Sequence, residues 1–106
     1  MSKNLANIYG SISYSKGGIT SKELVRSPSL DVTLFCMAKG TALSEHTSTK
    51  EAVILVLEGK GTFKLGAKRV AMAPGVFIHM KSNQVHALKV SENTSFLLYL
   101  TGFHLI

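Results

Sequence analysis

Two histidines close to β-rich apolar runs are the residues of this chain best suited to chemistry. His46 lies in the run from Gly40 to Gly59, and His86 ends the run that begins at Pro74. Each run joins a turn glycine, an imidazole and a string of apolar residues. An imidazole titrates near neutral pH and ligates divalent metals, so the pair is suited to hydrogen bonding with a ligand or to holding a metal ion. In the alternative interpretation, both are histidines at the rim of the core, bonded to backbone carbonyl groups.

The residues that follow His46 at alternate positions are expected to share its environment. Ser48 and Ala52 have the same parity as His46, and side chains of an unbroken strand alternate between its two faces. If His46 points inward, Ser48 and Ala52 therefore point inward with it. A nucleophilic role for Ser48 beside His46 has little support, because no carboxylate can be named on that face to orient the ring.

Three further residues are candidates to complete a metal site. His79 offers a third imidazole, Cys36 offers a thiolate if the even-numbered face of its strand is the inner one, and Glu51 offers a carboxylate if a β-bulge turns it inward. Their ordinary alternatives are a surface histidine, a small buried hydrophobic residue and a solvated glutamate. The fold decides between the two interpretations, because it fixes the direction in which each side chain points.

The elements that must position these side chains are short strands. Apolar runs alternate with seven turn signals, a pattern typical of a compact antiparallel all-β domain. The signals are Ser27–Pro28–Ser29, Ala38–Lys39–Gly40, Glu58–Gly59–Lys60–Gly61, Leu65–Gly66, Pro74–Gly75, Ser82–Asn83–Gln84 and Ser91–Glu92–Asn93. The runs Val53–Leu57 and Phe96–Leu100 are apolar at every position, which predicts strands buried on both faces, either under a second layer or in a subunit interface.

The two histidine runs resemble the two sequence motifs of the cupin superfamily, which are G-x5-H-x-H-x3,4-E-x6-G and G-x5-P-x-G-x2-H-x3-N. Gly40, His46 and Gly59 fit the first motif, while the Pro74–Gly75 turn and His86 fit the second loosely. This resemblance implies a double-stranded β-helix, or jelly-roll β-barrel, and a commonly dimeric assembly. The implied fold agrees with the all-β class that the strand pattern predicts.

The resemblance also identifies what this chain lacks. In metal-bearing cupins, two histidines and a glutamate of the first motif and one histidine of the second hold a divalent ion. Those positions are occupied here by His46, Ser48, Ala52 and His86, so the resemblance implies that these four residues line the barrel cavity. Catalytic zinc usually takes three protein ligands and a non-haem iron triad needs a carboxylate, so the implied cofactor is a weakly held Fe, Mn, Ni, Zn or Cu ion, or none.

The altered pair Ser48 and Ala52 is similar to a subset of small bacterial stand-alone cupins, in which the flanking histidines are kept. The segments GGITSKELV, from Gly17 to Val25, and FLLYL, from Phe96 to Leu100, share in this resemblance. Members of the subset mostly have no assigned reaction, so the resemblance implies a fold and a cavity rather than a substrate.

Length and composition predict one domain. We place a single barrel at residues 20–106, preceded by an N-terminal arm or edge strand at residues 1–19, and we assign His104 to the tail. Because 45% of the residues are hydrophobic and only 17% are charged, apolar surface is left over, which favours a homodimer. The apolar runs are too short to span a bilayer, the start has no signal-peptide core, and one cysteine allows no intrachain disulfide, so we expect a cytoplasmic protein.

The formal net charge of +6 suits an anionic partner, and Lys60, Lys64, Lys68 and Arg69 fall close together. The other basic residues are scattered and no aromatic residues are interleaved with them, which argues against a nucleic-acid-binding surface and favours a solvated basic face.

Three functions remain open at this point. The first is a small-molecule-binding protein, in which the two imidazoles and the Ser48 hydroxyl hold a polar or aromatic ligand between apolar walls. The second is a metal-dependent enzyme of the dioxygenase, isomerase or decarboxylase type, with His46 and His86 as ligands. The third is a structural or regulatory dimer whose basic surface contacts an acidic partner.

Overall fold

Two antiparallel sheets make up the computed structural model, which describes residues 5–101. That part of the chain has one short helix, α1 (Ile8–Ser11), and nine strands. The strands are β1 (Ile19–Arg26), β2 (Asp31–Met37), β3 (Ala42–His46), β4 (Glu51–Glu58), β5 (Gly61–Leu65), β6 (Lys68–Met72), β7 (Phe77–Met80), β8 (His86–Val90) and β9 (Thr94–Thr101). The large sheet has the order β1-β2-β9-β4-β7 and the small sheet has the order β3-β8-β5-β6. This arrangement confirms the predicted all-β jelly-roll fold.

The predicted turns fall between consecutive strands or at their ends. The turn between β4 and β5 shows why one of them needs glycine. Gly59 has a φ of +107°, and a Cβ atom there would lie 2.4 Å from the Cα atom of Thr94. Only a residue without a side chain can occupy this position, because both the backbone conformation and the neighbouring chain exclude a Cβ.

The space between the sheets is filled by apolar side chains from both of them. Phe63 of the small sheet is fully buried there, as is Phe96 of the large sheet, which stacks on Phe35 with ring centroids 5.2 Å apart. Met37, Met72 and Val90 complete the centre of this inner cluster. The barrel interior is therefore packed, and any site that a ligand can reach lies towards its rim.

The outer face of the large sheet carries a second apolar cluster. Leu34, Cys36 and Leu97 are buried in it, and Ile8 and Ile12 of the N-terminal segment pack over them. This explains why the β9 run is apolar at every position. Its alternate residues face the inner cluster and the outer cluster, and the second layer is the chain's own N-terminal segment.

A side-chain hydrogen bond ties the N-terminal segment to the large sheet. The Tyr14 hydroxyl donates to the carboxylate of Glu58 at 2.6 Å. Burial of the phenol, together with this bond to Glu58, raises the pKa of Tyr14 to about 12. Within residues 5–101, no helix has the length and apolar character needed to cross a bilayer.

Candidate functional site

The histidine pair is formed where β3 runs antiparallel to β8. His46 is directly opposite His86, and the two ring centroids are 4.0 Å apart with the planes inclined at 66°. A β-bulge lies just before this position, since Leu43 is opposite Leu88 and the next two residues, Ser44 and Glu45, share a single partner. The bulge turns His46 to the same face as Leu43, which simple alternation would not do across three positions.

His86 lies inside the barrel and His46 lies at its rim. His86 is 8% exposed and its ring is nearly parallel to that of Phe63, with centroids 6.1 Å apart, whereas His46 is exposed. Burial lowers the pKa of His86, and a charge on His46 acts in the same direction, while the hydrogen bond to the carbonyl of Gln84 opposes both. The environment therefore favours a neutral His86 ring.

Both rings are oriented in the same way by their own backbone. Nδ1 of His46 lies 2.7 Å from the carbonyl oxygen of Ser44, and Nδ1 of His86 lies 3.0 Å from that of Gln84. A carbonyl oxygen only accepts, so Nδ1 carries the hydrogen in each ring. Nε2 of a neutral ring then keeps its lone pair, and no described residue forms a hydrogen bond with it. The pair thus combines both sequence interpretations: each ring is bonded to a carbonyl group and still has one nitrogen for a ligand.

Ser48 and Ala52 do not continue the strand of His46, which corrects the expectation of an unbroken strand. β3 ends at His46 in the small sheet, and β4 begins at Glu51 in the large sheet. The Ser48 hydroxyl accepts a hydrogen bond from the backbone N–H of Lys50 at 3.1 Å, so it stabilises the connecting loop. Ala52 is buried in the inner cluster and contributes only a methyl group.

The structure does not bring His79, Glu51 or Cys36 to the histidine pair. The His79 ring and the Glu51 carboxylate contact each other on the outer face of the large sheet, because Ala52, next to Glu51, points inward. Cys36 belongs to the outer cluster, while Met37 next to it faces the inner one. These three residues therefore complete no metal site with the histidines.

The donor set does not fit a tightly held resident metal ion. Two imidazole rings lie side by side, but the third and fourth ligand positions of metal-bearing cupins carry a loop hydroxyl at Ser48 and a methyl group at Ala52. Among residues 5–101, no group of three or more histidine, cysteine, aspartate or glutamate side chains is placed to hold a metal ion.

Two features of the site were missed by sequence reasoning. The bulge at Ser44 and Glu45 has no glycine or proline to mark it, so nothing in the sequence indicated it. Phe63, which stacks on His86, belongs to neither of the two motifs that carry the histidines. Phe63 lies close to His86 because β5 pairs with β8. This pairing places Leu65 directly opposite His86, and Phe63 is two residues before Leu65 on the same strand.

Comparison with known proteins found one matching family model and a set of similar solved structures. The family model described as "Cupin domain" matches residues 33–101. A search among curated proteins found no match.

Several solved structures are similar to this chain. A conserved protein of unknown function from Streptococcus pyogenes has 23% sequence identity and a TM-score of 0.85, with 95% of this chain and 89% of that chain covered. A cupin superfamily protein from Desulfitobacterium hafniense has 19% identity and a TM-score of 0.81, with coverage of 85% and 83%. A cupin 2 conserved barrel domain protein from Leptotrichia buccalis has 31% identity and a TM-score of 0.81, with coverage of 88% of this chain and 45% of that chain.

Proposed function

The chain belongs to the cupin superfamily, and from this premise we propose that it binds a small polar or aromatic molecule at the rim of its barrel, between His46 and His86. The observation that carries the proposal is the geometry of the two rings. Their centroids are 4.0 Å apart, and each Nδ1 is bonded to a carbonyl group, so that two acceptor nitrogens remain for one ligand.

The surroundings of the pair favour a ligand with a hydrogen-bond donor and a flat apolar part. His86 is kept neutral by its burial and therefore accepts a hydrogen bond well. Phe63 backs the ring of His86, while the exposure of His46 leaves the site open to solvent on one side. Phenols and catechols have this combination of properties.

The Ser48 and Ala52 substitutions support binding over metal catalysis. They replace two of the four residues that hold an ion in metal-bearing cupins. The resulting pair, Ser48 and Ala52, is similar to that of stand-alone cupins that keep the flanking histidines. A site with two imidazoles and no protein carboxylate holds a divalent ion weakly. Binding of an organic ligand needs no third protein donor.

A thermal-shift screen with ring-resolved NMR tests the proposal. A panel of phenols and catechols is added to the wild-type protein, and a ligand at a hundredfold excess over its dissociation constant stabilises the fold by about 2.7 kcal/mol. Each compound that raises Tm is then titrated while the ¹⁵N signals of the histidine rings are followed. We expect the Nε2 signals of His46 and His86 to move.

His79→Ala is the matched control for His46→Ala, because His79 is also an exposed histidine but lies on the other sheet. Binding should be lost in His46→Ala and kept in His79→Ala. The proposal fails if binding compounds leave both ring signals in place, or if their affinity is unchanged in His46→Ala.

A further inference from the structure

The outer face of the small sheet forms a groove that is separate from the histidine pair. Its floor consists of small side chains on four neighbouring strands, Ala42, Ala87, Thr62 and Ala71, and its volume is about 900 Å³. These residues point away from the barrel, because their neighbours Phe63, Leu88 and Met72 point into the inner cluster. We call this surface the alanine groove.

Three of the four basic residues that lie close together in the sequence line the alanine groove, and Lys68 is not among its lining residues. Lys60, Lys64 and Arg69 line it, and Lys89 joins them from β8. Two carboxylates, those of Glu45 and Glu92, also line the groove. Four cations against two carboxylates give this face an excess of positive charge.

The cations of the alanine groove are incompletely paired. Lys64 and Arg69 are directly opposite each other on β5 and β6, where like charges repel. The carboxylate of Glu45 contacts Lys64. Among residues 5–101, Arg69 and Lys89 have no carboxylate within ion-pair distance. An anion bound between Arg69 and Lys89 would supply the negative charge that these two side chains lack.

The floor of the groove determines which kind of chemical group can accompany the negative charge of a bound anion. It offers methyl groups, and the backbone N–H and C=O groups beneath them are used within the sheet. A peptide lying there would leave its own backbone groups without partners, whereas a hydrocarbon body has none to satisfy. The lining includes no aromatic side chain on which a nucleic-acid base could stack.

From the small-residue floor and the unpaired cations together, we propose that the alanine groove binds an organic acid whose carboxylate contacts Arg69 and Lys89 and whose hydrocarbon body lies over Ala71 and Ala87. This site is independent of the proposed ligand site at His46 and His86. The packed inner cluster, which includes Phe63, fills the barrel interior beneath the small sheet, and the groove lies on the other face of that sheet.

Alanine methyl signals in ¹³C NMR spectra provide the test, with octanoate as the probe. Ala71 and Ala87 report on the groove, and Ala52 reports on the barrel interior. We expect octanoate to shift the first two signals saturably and to leave Ala52 in place. Acetate, which lacks the body, and octanamide, which lacks the charge, should each bind at least ~10-fold more weakly.

Two variants separate the charge from the floor. Arg69→Gln with Lys89→Gln should weaken octanoate binding by at least ~10-fold, while Lys16→Gln with Lys22→Gln, which removes the same charge elsewhere, should not. Thr62→Trp fills the floor and keeps every cation, so it should abolish octanoate binding. All of these side chains are exposed, so we expect the variants to fold.

Four results would overturn the proposal: that octanoate fails to bind, that octanamide binds as tightly as octanoate, that both double variants weaken binding equally, or that octanoate shifts the Ala52 signal instead of the groove signals. A fifth would assign the groove to a second copy of the chain: the signals of Ala71 and Ala87 shift with protein concentration alone, in the absence of octanoate.

Discussion

His46 and His86 face each other across β3 and β8 with ring centroids 4.0 Å apart, yet only His86 is buried. Because the two rings differ in burial, we expect His86 to contribute to the stability of the fold, whereas the exposed ring of His46 contributes mainly to ligand binding. Because both Nδ1 atoms bond to carbonyl groups of nearby residues, each ring is held in place by its own strand end rather than by the other ring.

Replacing the two histidines should therefore affect stability unequally. His86→Ala removes a side chain that is 8% exposed and stacks on Phe63, so the free energy of unfolding should fall by about 1–3 kcal/mol. His46→Ala removes an exposed ring and should change it by less than about 0.5 kcal/mol. Urea denaturation of both variants measures this. Equal losses would show that the pair acts as one structural unit.

The pH dependence of stability should carry the mark of His86. Its pKa is lowered in the folded protein, mainly by burial, so between the folded and unfolded pKa values the unfolded chain binds more protons. The contribution of His86 is therefore fully present above the unfolded pKa, near 6.5, and is lost as the pH falls through the lower folded value. Urea denaturation from pH 7.5 to 4.5 should show this loss.

His86→Gln should flatten that pH dependence, and His79→Gln is the control with a histidine outside the pair. Ring signals followed by NMR give the folded pKa of His86 directly. A folded pKa of His86 above 6.5 would contradict the expected direction.

Restoring the missing donors should create a metal site. Ser48→His with Ala52→Glu supplies the two ligand types that metal-bearing cupins have at these positions. Without metal, the new carboxylate lies in the inner cluster and should destabilise the fold, because a buried unpaired charge is costly. Zn²⁺ should restore Tm in this variant and bind near one equivalent, as measured by elemental analysis of untagged protein.

The matched control for that variant is Ser48→His with Val53→Glu. Val53 is next to Ala52 but is opposite His79, on the outer face of the large sheet. This variant should neither lose stability in the same way nor gain a zinc-dependent rise in Tm. The wild-type protein, with two imidazoles, should carry well below one equivalent of metal after purification without a tag.

The fold could be predicted from the sequence because its turns are marked locally. Glycine, proline and asparagine at the strand ends have conformations that other residues adopt poorly, as Gly59 with its φ of +107° and Asn83 with its φ of +65° illustrate. The break between His46 and Glu51 has none of these residues in it, so the sequence suggested a continuous strand there.

The direction of side chains was harder to predict than the strands themselves. In β2, both Leu34 and Phe35 are apolar, because one faces the outer cluster and the other packs against the inner cluster. Alternation gives no inner face when both faces are apolar. For this reason the sequence left open which way the Cys36 side chain points, and only the contacts of β2 show that its thiol lies in the outer cluster.

The hydrogen bond between Tyr14 and Glu58 should control access to Cys36. Cys36 is 4% exposed, and Ile8 and Ile12 of the N-terminal segment help to cover the outer cluster around it. Tyr14→Phe removes the bond and should lower the free energy of unfolding by about 0.5–1.5 kcal/mol. The rate at which a thiol reagent modifies Cys36 should rise, because partial release of the segment exposes the thiol.

The same contact should weaken at high pH. The pKa of Tyr14 is raised to about 12 from its ordinary value of 10.0, so its contribution to stability is fully present below pH 10 and is lost as the pH rises through 12. Absorbance of the phenolate follows the titration, with Tyr14→Phe as the reference and Tyr9→Phe, which is exposed, as the control. A Cys36 reaction rate that is unchanged in Tyr14→Phe would show that the bond does not hold the segment down.

We predict a homodimer that forms through the outer face of the large sheet, because apolar side chains are exposed there. Phe77 is 64% exposed on the edge strand β7, directly opposite Leu55, and Val53 lies two residues before Leu55 on the same face. The N-terminal segment covers the other part of this face.

Phe77→Asp should convert a dimer into a monomer in light scattering at micromolar concentration, because a charge cannot be buried unpaired in the interface. Its Tm should then depend less on protein concentration than that of the wild type. Lys22→Asp on β1, the opposite edge of the same sheet, is the control and should remain dimeric. A monomeric wild-type protein, or a Phe77→Asp protein that stays dimeric, would contradict this assembly.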